Sequence, residues 1–235
     1  MKIFIDAGHN YNGADTGAQG NGLKEQEITF LIAKRLKVLL EADGHSVKMS
    51  RNNLTDNVGS TVSESINSRA KMSNDWGADL FVSIHCNAYD GRAKGTETLV
   101  YSMASKAVAT AKRVQKALID KLEMGDRGVK ERPNLGVLRL TNAPALLVET
   151  AFIDNPSDSQ KLSYRSEEFA EAIFEGITEK CVAQKELTEI NDIVCELSAK
   201  GIITEKELWF KKLENDQNAY WLARKCVNYI RGIDV

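Results

Sequence analysis

The chain contains three short apolar runs that each end in a residue able to bind a metal ion. The runs cover residues 3–8, 80–84 and 146–148, and they end at His9, His85 and Glu149. An apolar run of this length is typical of a buried parallel strand, with the polar residue placed where the strand leaves the sheet. Ligands of open α/β sheets bind beyond the carboxyl ends of the strands. If the three strands are parallel neighbours, their terminal side chains meet at one edge of the sheet.

Segments with helical periodicity separate these strands. Apolar residues recur at three- and four-residue spacing and predict helices over residues 25–43, 62–76, 103–122 and 166–182. Further strands are predicted over residues 45–51 and 96–101, a glycine-containing loop over 125–136, and the last core strand over 145–149. The alternation of strands and helices predicts an α/β fold in which helices cover both faces of a layered sheet.

The segment that follows His9 is a long loop rich in glycine and asparagine, residues 10–22. Loops of this length inside a compact domain are usually functional. Glu25 begins the helix that comes after the loop, and a carboxylate in the first turn of a helix is favoured by the helix dipole.

Near residues 183–188 the pattern changes, and all later periodicity is helical. Leu187, Ile190, Val194 and Leu197 share one helix face, residues 204–207 (Thr-Glu-Lys-Glu) form a capping-box pattern, and a last helix is predicted over 217–231. On that last helix Leu222, Cys226 and Tyr229 share the predicted core face, and Trp221 falls off it. The sequence therefore predicts a main domain over residues 1–182 and a small all-helical module over 187–235, too small to bury much surface alone.

Composition narrows the possible partners. The chain has 235 residues, of which 43% are apolar and 27% charged, and its net charge of −2 gives no electrostatic footprint for nucleic acid. No apolar run approaches the roughly 20 residues that span a bilayer, so no membrane partner is expected. The first strand begins at once, without a secretion signal, so we expect synthesis in the cytoplasm. The four scattered cysteines are expected to be reduced core residues.

The residue types at the predicted sheet edge match the ligands of a catalytic zinc ion, which needs three protein ligands and an open fourth position. His9 and His85 supply two imidazoles, and the third ligand must be a carboxylate or histidine that reaches the same edge. Glu25 is the natural choice because it follows the loop that leaves His9. Glu149 then remains as a general base for hydrolysis of an amide by a zinc-activated water.

Each of these residues also has a structural interpretation. A histidine at the end of a strand is often only hydrogen-bonded, and Glu25 can be a helix-start carboxylate. Cys86 is a possible soft metal ligand, but neighbouring strand residues point to opposite faces, so it is expected to face the core. Arg51 and Arg69 are expected to be structural tethers. Spacing alone leaves both a metal hydrolase and a structural role open.

Several short motifs, taken together, resemble the zinc-dependent N-acetylmuramoyl-L-alanine amidases of the amidase 3 type. The motifs are Ile5-Asp-Ala-Gly-His9, Asp15-Thr-Gly-Ala18, Gly22-Leu-Lys-Glu25, Ser83-Ile-His-Cys-Asn-Ala88, Gly95-Thr-Glu97 and Pro144-Ala-Leu-Leu-Val-Glu-Thr-Ala-Phe-Ile-Asp-Asn155. Each motif is short, but all of them run in the family's order over about residues 1–180. The resemblance covers the whole main domain.

The resemblance implies a mixed, largely parallel six-stranded sheet between helices and one catalytic Zn²⁺. It implies that His9, Glu25 and His85 are the metal ligands and that Glu149 is the catalytic glutamate. Asn87, at the family's His-x-Asn position, is a candidate substrate contact. The implied substrate is bacterial peptidoglycan, cleaved at the amide between the lactyl group of N-acetylmuramic acid and the L-alanine of the stem peptide.

The resemblance and the domain order favour a phage or prophage endolysin, made in the host cytoplasm and acting on the cell wall after release. The alternatives are a mother-cell lytic amidase of sporulation, a zinc carboxypeptidase or endopeptidase of the stem peptide, and a non-catalytic wall-binding protein with a structural zinc. The helical module is expected to target the wall or to mediate self-association. Four of its aromatic residues form either a wall-binding surface or its core: Trp209, Tyr220, Trp221 and Tyr229.

Overall fold

The computed structural model describes residues 1–180, 186–205, 208–209, 212–213 and 216–230 of the chain. The chain divides into two compact units, Met1–Lys180 and Cys181–Val235. The first unit is an α/β structure, and the described part of the second unit is helical.

Eight strands and six helices form the first unit. The strands are β1 (Lys2–Ala7), β2 (Gln19–Gly20), β3 (Leu23–Lys24), β4 (Ser46–Met49), β5 (Leu80–Asn87), β6 (Thr96–Val100), β7 (Asp126–Glu131) and β8 (Ala145–Phe152). The helices are α1 (Glu25–Ala42), α2 (Val62–Trp76), α3 (Val108–Leu122), α4 (Gly136–Leu140), α5 (Pro156–Tyr164) and α6 (Ser166–Thr178).

The main sheet has six strands in the order β4-β1-β5-β8-β6-β7, and β2 and β3 form a separate antiparallel pair. Strands β4, β1, β5 and β8 are parallel, β6 pairs with β8 in the antiparallel direction, and β7 is parallel to β6. The predicted mixed, largely parallel six-stranded sheet is therefore confirmed. The three apolar runs that end at or contain the candidate ligands are adjacent parallel strands, as their pattern predicted.

Both faces of the sheet are covered, which explains the apolar composition of its central strands. On one face Phe4 of β1 stacks on Phe81 of β5 with ring centroids 5.8 Å apart. These rings belong to an apolar cluster that includes Val137 and Leu138 of α4, with Ile66 and Trp76 of α2 packed against it. Helix α6 packs against α1 and α3, and α1 and α3 contact strands of the sheet.

Three predicted boundaries need correction. The helix predicted over residues 103–122 begins only at Val108, because Ser102 and Ser105 fold the preceding residues into turns. The helix predicted over 166–182 ends at Thr178, with Glu179 in the left-handed conformation. The strand predicted over 145–149 continues to Phe152, so Glu149 lies within β8 and not at its end.

The sequence prediction lacked β2, β3 and α4, and it also lacked two longer elements, β7 and α5. Strand β7 occupies part of the predicted loop; it is an edge strand with charged residues and no fully buried position, so its composition resembles that of a loop. Helix α5 begins with Pro156, and Asn155 caps it by accepting hydrogen bonds from the backbone of Ser157 and Asp158. Proline at the first position and asparagine at the N-cap are both common at helix starts.

A buried ion pair between Arg69 and Asp6 links α2 to β1, close to the end of β1 that leads to His9. Arg69 Nη1 donates to Asp6 Oδ1 at 2.6 Å and to the carbonyl oxygen of Ala7 at 2.7 Å. Both side chains are almost fully buried. Burial opposes the ionisation of Asp6, but Arg69, His85 and Ser83 hold its pKa below the usual value. The prediction that Arg69 is a structural tether agrees with these contacts.

We expect Arg69→Met to destabilise the protein by about 3–5 kcal/mol at pH 7, because it leaves the Asp6 carboxylate buried without its partner. Native Asp6 has a lowered pKa, so its contribution to stability is complete above the unfolded pKa near 3.8 and is lost as the pH falls below that value. In the variant, the unpaired acid can take up a proton in mild acid. The difference in unfolding free energy between wild type and variant, measured with urea, is therefore expected to be smaller at pH 5 than at pH 7.

Lys71→Met is the matched control, because Lys71 lies on the same helix but its ion pair with Asp75 is exposed to solvent. Exposed pairs contribute little to stability, so the control is expected to unfold like the wild type. An equal loss of stability in the two variants, or a loss for Arg69→Met that does not change with pH, would contradict the prediction.

The second unit contains α7 (Glu186–Ala199) and α8 (Gln217–Ile230). Its buried cluster corrects the predicted core face of the last helix: Tyr220, Trp221, Ala223 and Val227 are buried, whereas Leu222 is 66% exposed and Cys226 is exposed. Tyr220 and Trp221 therefore belong to the core and do not form an exposed aromatic surface. Residues 206–207 of the predicted capping box lie outside the described part, as do the side chains of Leu187, Ile190 and Tyr229.

The cysteines and the apolar character of the helices were also predicted from the sequence. Of the described cysteines, Cys86 is buried as predicted, whereas Cys195 and Cys226 are exposed, so the predicted core position is wrong for these two. Across the described residues, we find no helix whose length and apolar character would let it span a bilayer.

Candidate metal centre

Four side chains predicted from the sequence meet above the central strands of the main sheet. His9 follows β1, His85 belongs to β5, and Glu25 is the first residue of α1. One potential ligand atom from each of these three residues lies within 4.8 Å of the other two. Glu149 of β8 is paired in register with His85 on the neighbouring strand. The adjacency of the parallel strands thus places these residues at one edge, as the apolar runs indicated.

The carboxylate of Glu25 lies between the two imidazole rings. Its Oε1 atom is 3.1 Å from Nε2 of His9 and 3.0 Å from Nδ1 of His85. The two rings are nearly perpendicular, at 80°, with centroids 4.7 Å apart. Three potential ligand atoms therefore point toward one another from three different elements of the fold.

The two distances from Glu25 to the histidines are close to those between the ligands of a tetrahedral metal ion. Nitrogen and oxygen ligands lie about 2.0–2.2 Å from zinc, so two ligands of one tetrahedral ion are roughly 3.4 Å apart. The two observed distances between Glu25 and the histidines are within about 0.4 Å of that separation. Two histidines and one carboxylate are also a ligand set that catalytic zinc sites use. The residues present are therefore suited to hold a zinc ion.

The surrounding charges shift the pKa values of His9 and Glu25 in opposite directions. Burial alone would lower the pKa of His9, but hydrogen bonds to Asp15 and Glu25 and the charges of both raise it to about 10. Burial opposes the ionisation of Glu25, but both histidines hold its pKa far below the usual value. Glu25 is thus a carboxylate at neutral pH, and it stabilises positive charge at the point where the two rings meet.

Neighbouring groups fix the orientation of Glu25 and His9. The backbone N–H groups of Ala18 and Cys86 donate to Oε2 and Oε1 of Glu25 at 2.8 and 2.9 Å. The Nδ1 atom of His9 lies 3.2 Å from Oδ1 of Asp15, whose other oxygen accepts a hydrogen bond from Ser65. With Nδ1 engaged by Asp15, Nε2 of His9 is left to face Glu25.

We expect Asp15→Ala to weaken metal binding by about 10- to 100-fold, because a carboxylate that orients a ligating histidine contributes that much in known metal sites. Competition with a chromogenic chelator measures the change. Asp56→Ala is a suitable control, since Asp56 is also a loop carboxylate but accepts its hydrogen bonds from Asn52 and Asn53, away from the histidines. Equal metal affinity of the Asp15→Ala variant and the wild type would show that Asp15 does not orient His9.

The backbone at His9 has an uncommon conformation, with φ of +67°. Residues other than glycine rarely adopt this left-handed conformation. They do so where the surrounding structure holds the backbone in place. Here Nη2 of Arg69 donates to the carbonyl oxygen of His9 at 2.7 Å, and the hydroxyl of Thr29 donates to the carbonyl oxygen of Gly8 at 2.9 Å. These bonds turn the His9 ring back over the sheet toward Glu25.

Gly8 provides the space for the second ring. A Cβ atom on Gly8 would lie 2.6 Å from Cε1 of His85 and 2.6 Å from the carbonyl oxygen of Ile84. Both approaches are too close for a side chain. The glycine before His9 therefore allows the imidazole of His85 to lie directly against β1.

Glu149 differs from Glu25 in its surroundings. Its Oε2 atom is buried and has no hydrogen-bond partner among the described residues. Burial is the largest cause that raises its pKa, His85 partly offsets it, and the negative charges of Glu25 and Glu97 raise it further, to about 7. A carboxyl group with a pKa near neutrality can both accept and release a proton at neutral pH.

Glu97 extends the polar row to the next strand. It pairs in register with Glu149 across the antiparallel β6–β8 ladder, and its Oε1 atom accepts a hydrogen bond from Nδ2 of Asn87 at 3.4 Å. Burial opposes its ionisation, but Lys130 and Arg127 hold its pKa below the usual value. Asn87 therefore lies next to the site, as expected, although its role as a substrate contact stays a prediction.

The structure brings together every residue proposed from the sequence: His9, Glu25, His85, Asn87 and Glu149. Cys86 belongs to the core, as expected, and its thiol lies 3.4 Å from the hydroxyl of Thr150. The sequence reasoning assigned no role to Asp15 or Glu97. Both occur in the motifs that carried the resemblance, and that presence was the only signal in the sequence that could have identified them.

The fold and the site together define an α/β protein with a candidate metal centre of two histidines and one glutamate, and a second glutamate beside it. The chain belongs to the N-acetylmuramoyl-L-alanine amidase family, because the family model for Amidase_3 matches residues 3–179. The family expected from the motifs is thereby confirmed.

Two curated relatives illustrate the range of this family. The chain is 40% identical over 169 residues to the sporulation-specific N-acetylmuramoyl-L-alanine amidase of Bacillus subtilis (strain 168), covering 71% of this chain and 62% of the relative. It is 38% identical over 187 residues to the endolysin of Bacillus phage SPP1, covering 75% of this chain and 65% of the relative. The match therefore spans less than two thirds of the length of either relative.

Solved structures show the same fold. The catalytic domain of an endolysin that targets Clostridia Difficile superimposes with a TM-score of 0.68 at 30% sequence identity, covering 77% of this chain and 99% of the other. An N-acetylmuramoyl-L-alanine amidase from Clostridium difficile 630 also gives a TM-score of 0.68, at 31% identity over 76% of this chain and 95% of the other. Both similarities concern about three quarters of the chain.

Proposed function

We propose that this protein hydrolyses the amide between the lactyl group of N-acetylmuramic acid and the L-alanine of the stem peptide in bacterial peptidoglycan. One observation carries the proposal: the His9–Glu25–His85 cluster lies beside Glu149, which has a pKa of about 7 and a buried oxygen without a hydrogen-bond partner among the described residues. Membership of the amidase family supports the choice of substrate.

His9, Glu25 and His85 would hold the metal ion, which we propose to be Zn²⁺. When bound at such a site, zinc lowers the pKa of a water molecule to about 7 and polarises a substrate carbonyl group. Asp15 keeps Nε2 of His9 directed at Glu25, and the backbone N–H groups of Ala18 and Cys86 hold the Glu25 carboxylate between the rings.

Glu149 would move the proton. Its ionised form takes a proton from the attacking water, and its neutral form then gives that proton to the leaving nitrogen of L-alanine. The pKa of about 7 suits both steps, because neither form is strongly disfavoured at neutral pH. The two half-reactions need no covalent intermediate with the protein.

Mass analysis of digested peptidoglycan tests the proposal. Cleavage at the proposed bond releases intact stem peptides that begin with L-alanine and leaves free lactyl groups on the glycan. Shortened stem peptides would instead indicate a carboxypeptidase or endopeptidase that uses the same metal site. A non-catalytic wall-binding protein with a structural zinc would release neither product.

We infer an endolysin as the biological setting, with release to the cell wall after synthesis. The relative from phage SPP1 supports this setting, and the sporulation-specific relative supports the alternative of mother-cell lysis. Expression in a Gram-positive host, with and without a protein that opens the membrane, tests whether lysis depends on release through the membrane. An endolysin is expected to lyse growing cells only when the membrane is opened.

For the second unit we propose wall targeting, with self-association as the alternative. Because Tyr220 and Trp221 are buried, targeting would have to use other residues of the unit. Two measurements on the full chain and on residues 1–180 distinguish the two roles. Retention on purified walls reports targeting, and light scattering reports self-association. Equal retention of the two proteins would exclude targeting by this unit.

A further inference from the structure

Two cations of edge strand β7 share one carboxylate beside the candidate metal centre. Nε of Arg127 donates to Oε2 of Glu97 at 3.1 Å, and Nζ of Lys130 donates to the same oxygen at 2.5 Å. Within the described residues, neither cation forms an ion pair with any other acidic group. Two cations on one carboxylate leave one positive charge without a partner.

A β-bulge directs both cations to the same side of the sheet. Residues three apart in a regular strand point to opposite faces, so Arg127 and Lys130 would normally diverge. Here Thr96 pairs with Asp126 and Thr98 pairs with Val129, so β7 uses three residues where β6 uses two. Gly128 lies in this bulge with φ of +81°. Bulges that redirect side chains are common next to active sites.

Arg127 keeps donor groups available. Its guanidinium lies 4.8 Å from the centre of the Phe152 ring, and its side chain is 36% exposed. Only Nε is engaged, and in the described part of the chain neither Nη atom makes a hydrogen bond. Two Nη donors on a planar, fixed guanidinium match the two oxygens of a carboxylate. Lys130 is 32% exposed and adds charge beside them.

The position of these cations relative to the metal site follows from strand pairing. His85, Glu149 and Glu97 are register partners on the adjacent strands β5, β8 and β6. Strands are about 4.8 Å apart, so Glu97 lies roughly 10 Å from His85. An extended peptide advances about 3.5 Å per residue and covers that distance in two to three residues. A peptide cleaved at the metal site and extending across β8 toward β6 would present its next residues to Arg127 and Lys130.

Building on the function proposed above, we propose that Arg127 and Lys130 bind the α-carboxylate of the stem-peptide residue that follows L-alanine. In peptidoglycan this residue is a glutamyl residue whose α-carboxyl group is either free or amidated. The pair would then make the enzyme selective for stems that keep the free acid. Glu97 acts as a positioning residue, because it holds both cations over the row of strands.

Calorimetry with the full-length Glu149→Gln protein, loaded with zinc, tests the inference without turnover. The ligands are muramyl dipeptides that differ only in the glutamyl α-group, carboxylate or carboxamide; a third ligand is amidated at the terminal carboxyl group instead. We expect the α-carboxylate ligand to bind about tenfold more tightly than the α-carboxamide. The third ligand should bind like the first, which would exclude the peptide terminus as the recognised group.

Arg127→Gln and Lys130→Gln, each introduced into the same background, should bring the carboxylate-to-carboxamide affinity ratio close to one. Arg132→Gln is the matched control: Arg132 follows the same strand at its other end, contacts the carbonyl oxygen of Glu131, and should leave the ratio unchanged. An affinity ratio of one in the parent protein would overturn the inference. The absence of binding by either ligand would overturn it as well. So would an unchanged ratio in both glutamine variants. Failure of the wild type to release stem peptides would instead reject the proposed function.

Discussion

Replacing Glu149 with glutamine is expected to abolish measurable peptidoglycan hydrolysis while the protein keeps its metal ion. General acid–base groups contribute about 10²- to 10⁴-fold to rates, and Glu149 would serve both halves of the reaction. Glutamine has nearly the same shape as glutamate but cannot take up the proton. Release of soluble stem peptides from purified walls measures the loss, and elemental analysis of the same sample measures the metal content.

Comparing hydrolysis with metal content distinguishes Glu149 from the metal ligands, because only loss of a ligand should remove the metal. The ligand atoms that cluster within 4.8 Å belong to His9, Glu25 and His85, and Glu149 is not among them. Loss of metal together with loss of activity would place Glu149 among the ligands. Unchanged hydrolysis would contradict the proposed mechanism, whereas Glu123→Gln, a change at an exposed helix end, should behave as wild type.

Removal of the metal ion is expected to have an equally large effect. Treatment with a chelator should eliminate hydrolysis, and added zinc should restore it, because a bound ion would activate the water and polarise the carbonyl group. Hydrolysis by protein shown by elemental analysis to be metal-free would exclude the proposed chemistry. Testing other divalent ions in the restoration step identifies the metal that supports the highest activity.

Glu25→Gln should reproduce the chelated state without a chelator. The substitution keeps a carbonyl oxygen for only one of the two backbone N–H groups that hold Glu25, and it removes the negative charge between the two imidazoles. We expect the purified variant to contain little bound metal and to stay inactive when zinc is added at concentrations that restore the chelated wild type. Glu27→Gln, on the same helix turn but half exposed and paired with Lys24, is the control.

The sequence predicted the central part of this structure because burial leaves a clear pattern there. Strands β1, β5 and β8 are nearly all apolar, since both of their faces are covered, and this pattern located His9, His85 and Glu149. Helix α2 matches its predicted boundaries, with Thr61 as N-cap and Gly77 in the left-handed conformation at its end. Apolar runs and helix-capping residues depend on a few neighbouring residues, so they can be recognised in the sequence without knowledge of the fold.

Strand β7 and the residues that depend on it could not be recognised in the same way. Its sequence is mostly charged and contains a glycine, because one edge of the strand faces solvent. The strand conformation there results from pairing with β6. The proximity of Glu97 to Glu149 depends on an antiparallel register between distant segments. The bond between Asp15 and Ser65 joins a loop to a helix 50 residues away.

The last helix shows a different kind of error. Leu222, Cys226 and Tyr229 recur at helical spacing, but so do Tyr220, Ala223 and Val227, and the buried face is the second set. A helix with apolar residues on two faces does not reveal from its own sequence which one its neighbours cover. Here Ile193, Val194 and Leu197 of α7 belong to the same buried cluster, so the neighbouring helix determines the choice.

Arg69 connects the interior of the domain to the backbone of a proposed ligand, since the same guanidinium binds Asp6 and the carbonyl oxygen of His9. If the proposed site binds its metal ion, folding and metal uptake would be linked through this side chain. A metal ion that binds only the native state shifts the unfolding equilibrium by mass action. Denaturants and metal-sequestering agents would consequently act on one equilibrium, and the stability of this protein would depend on the free metal concentration around it.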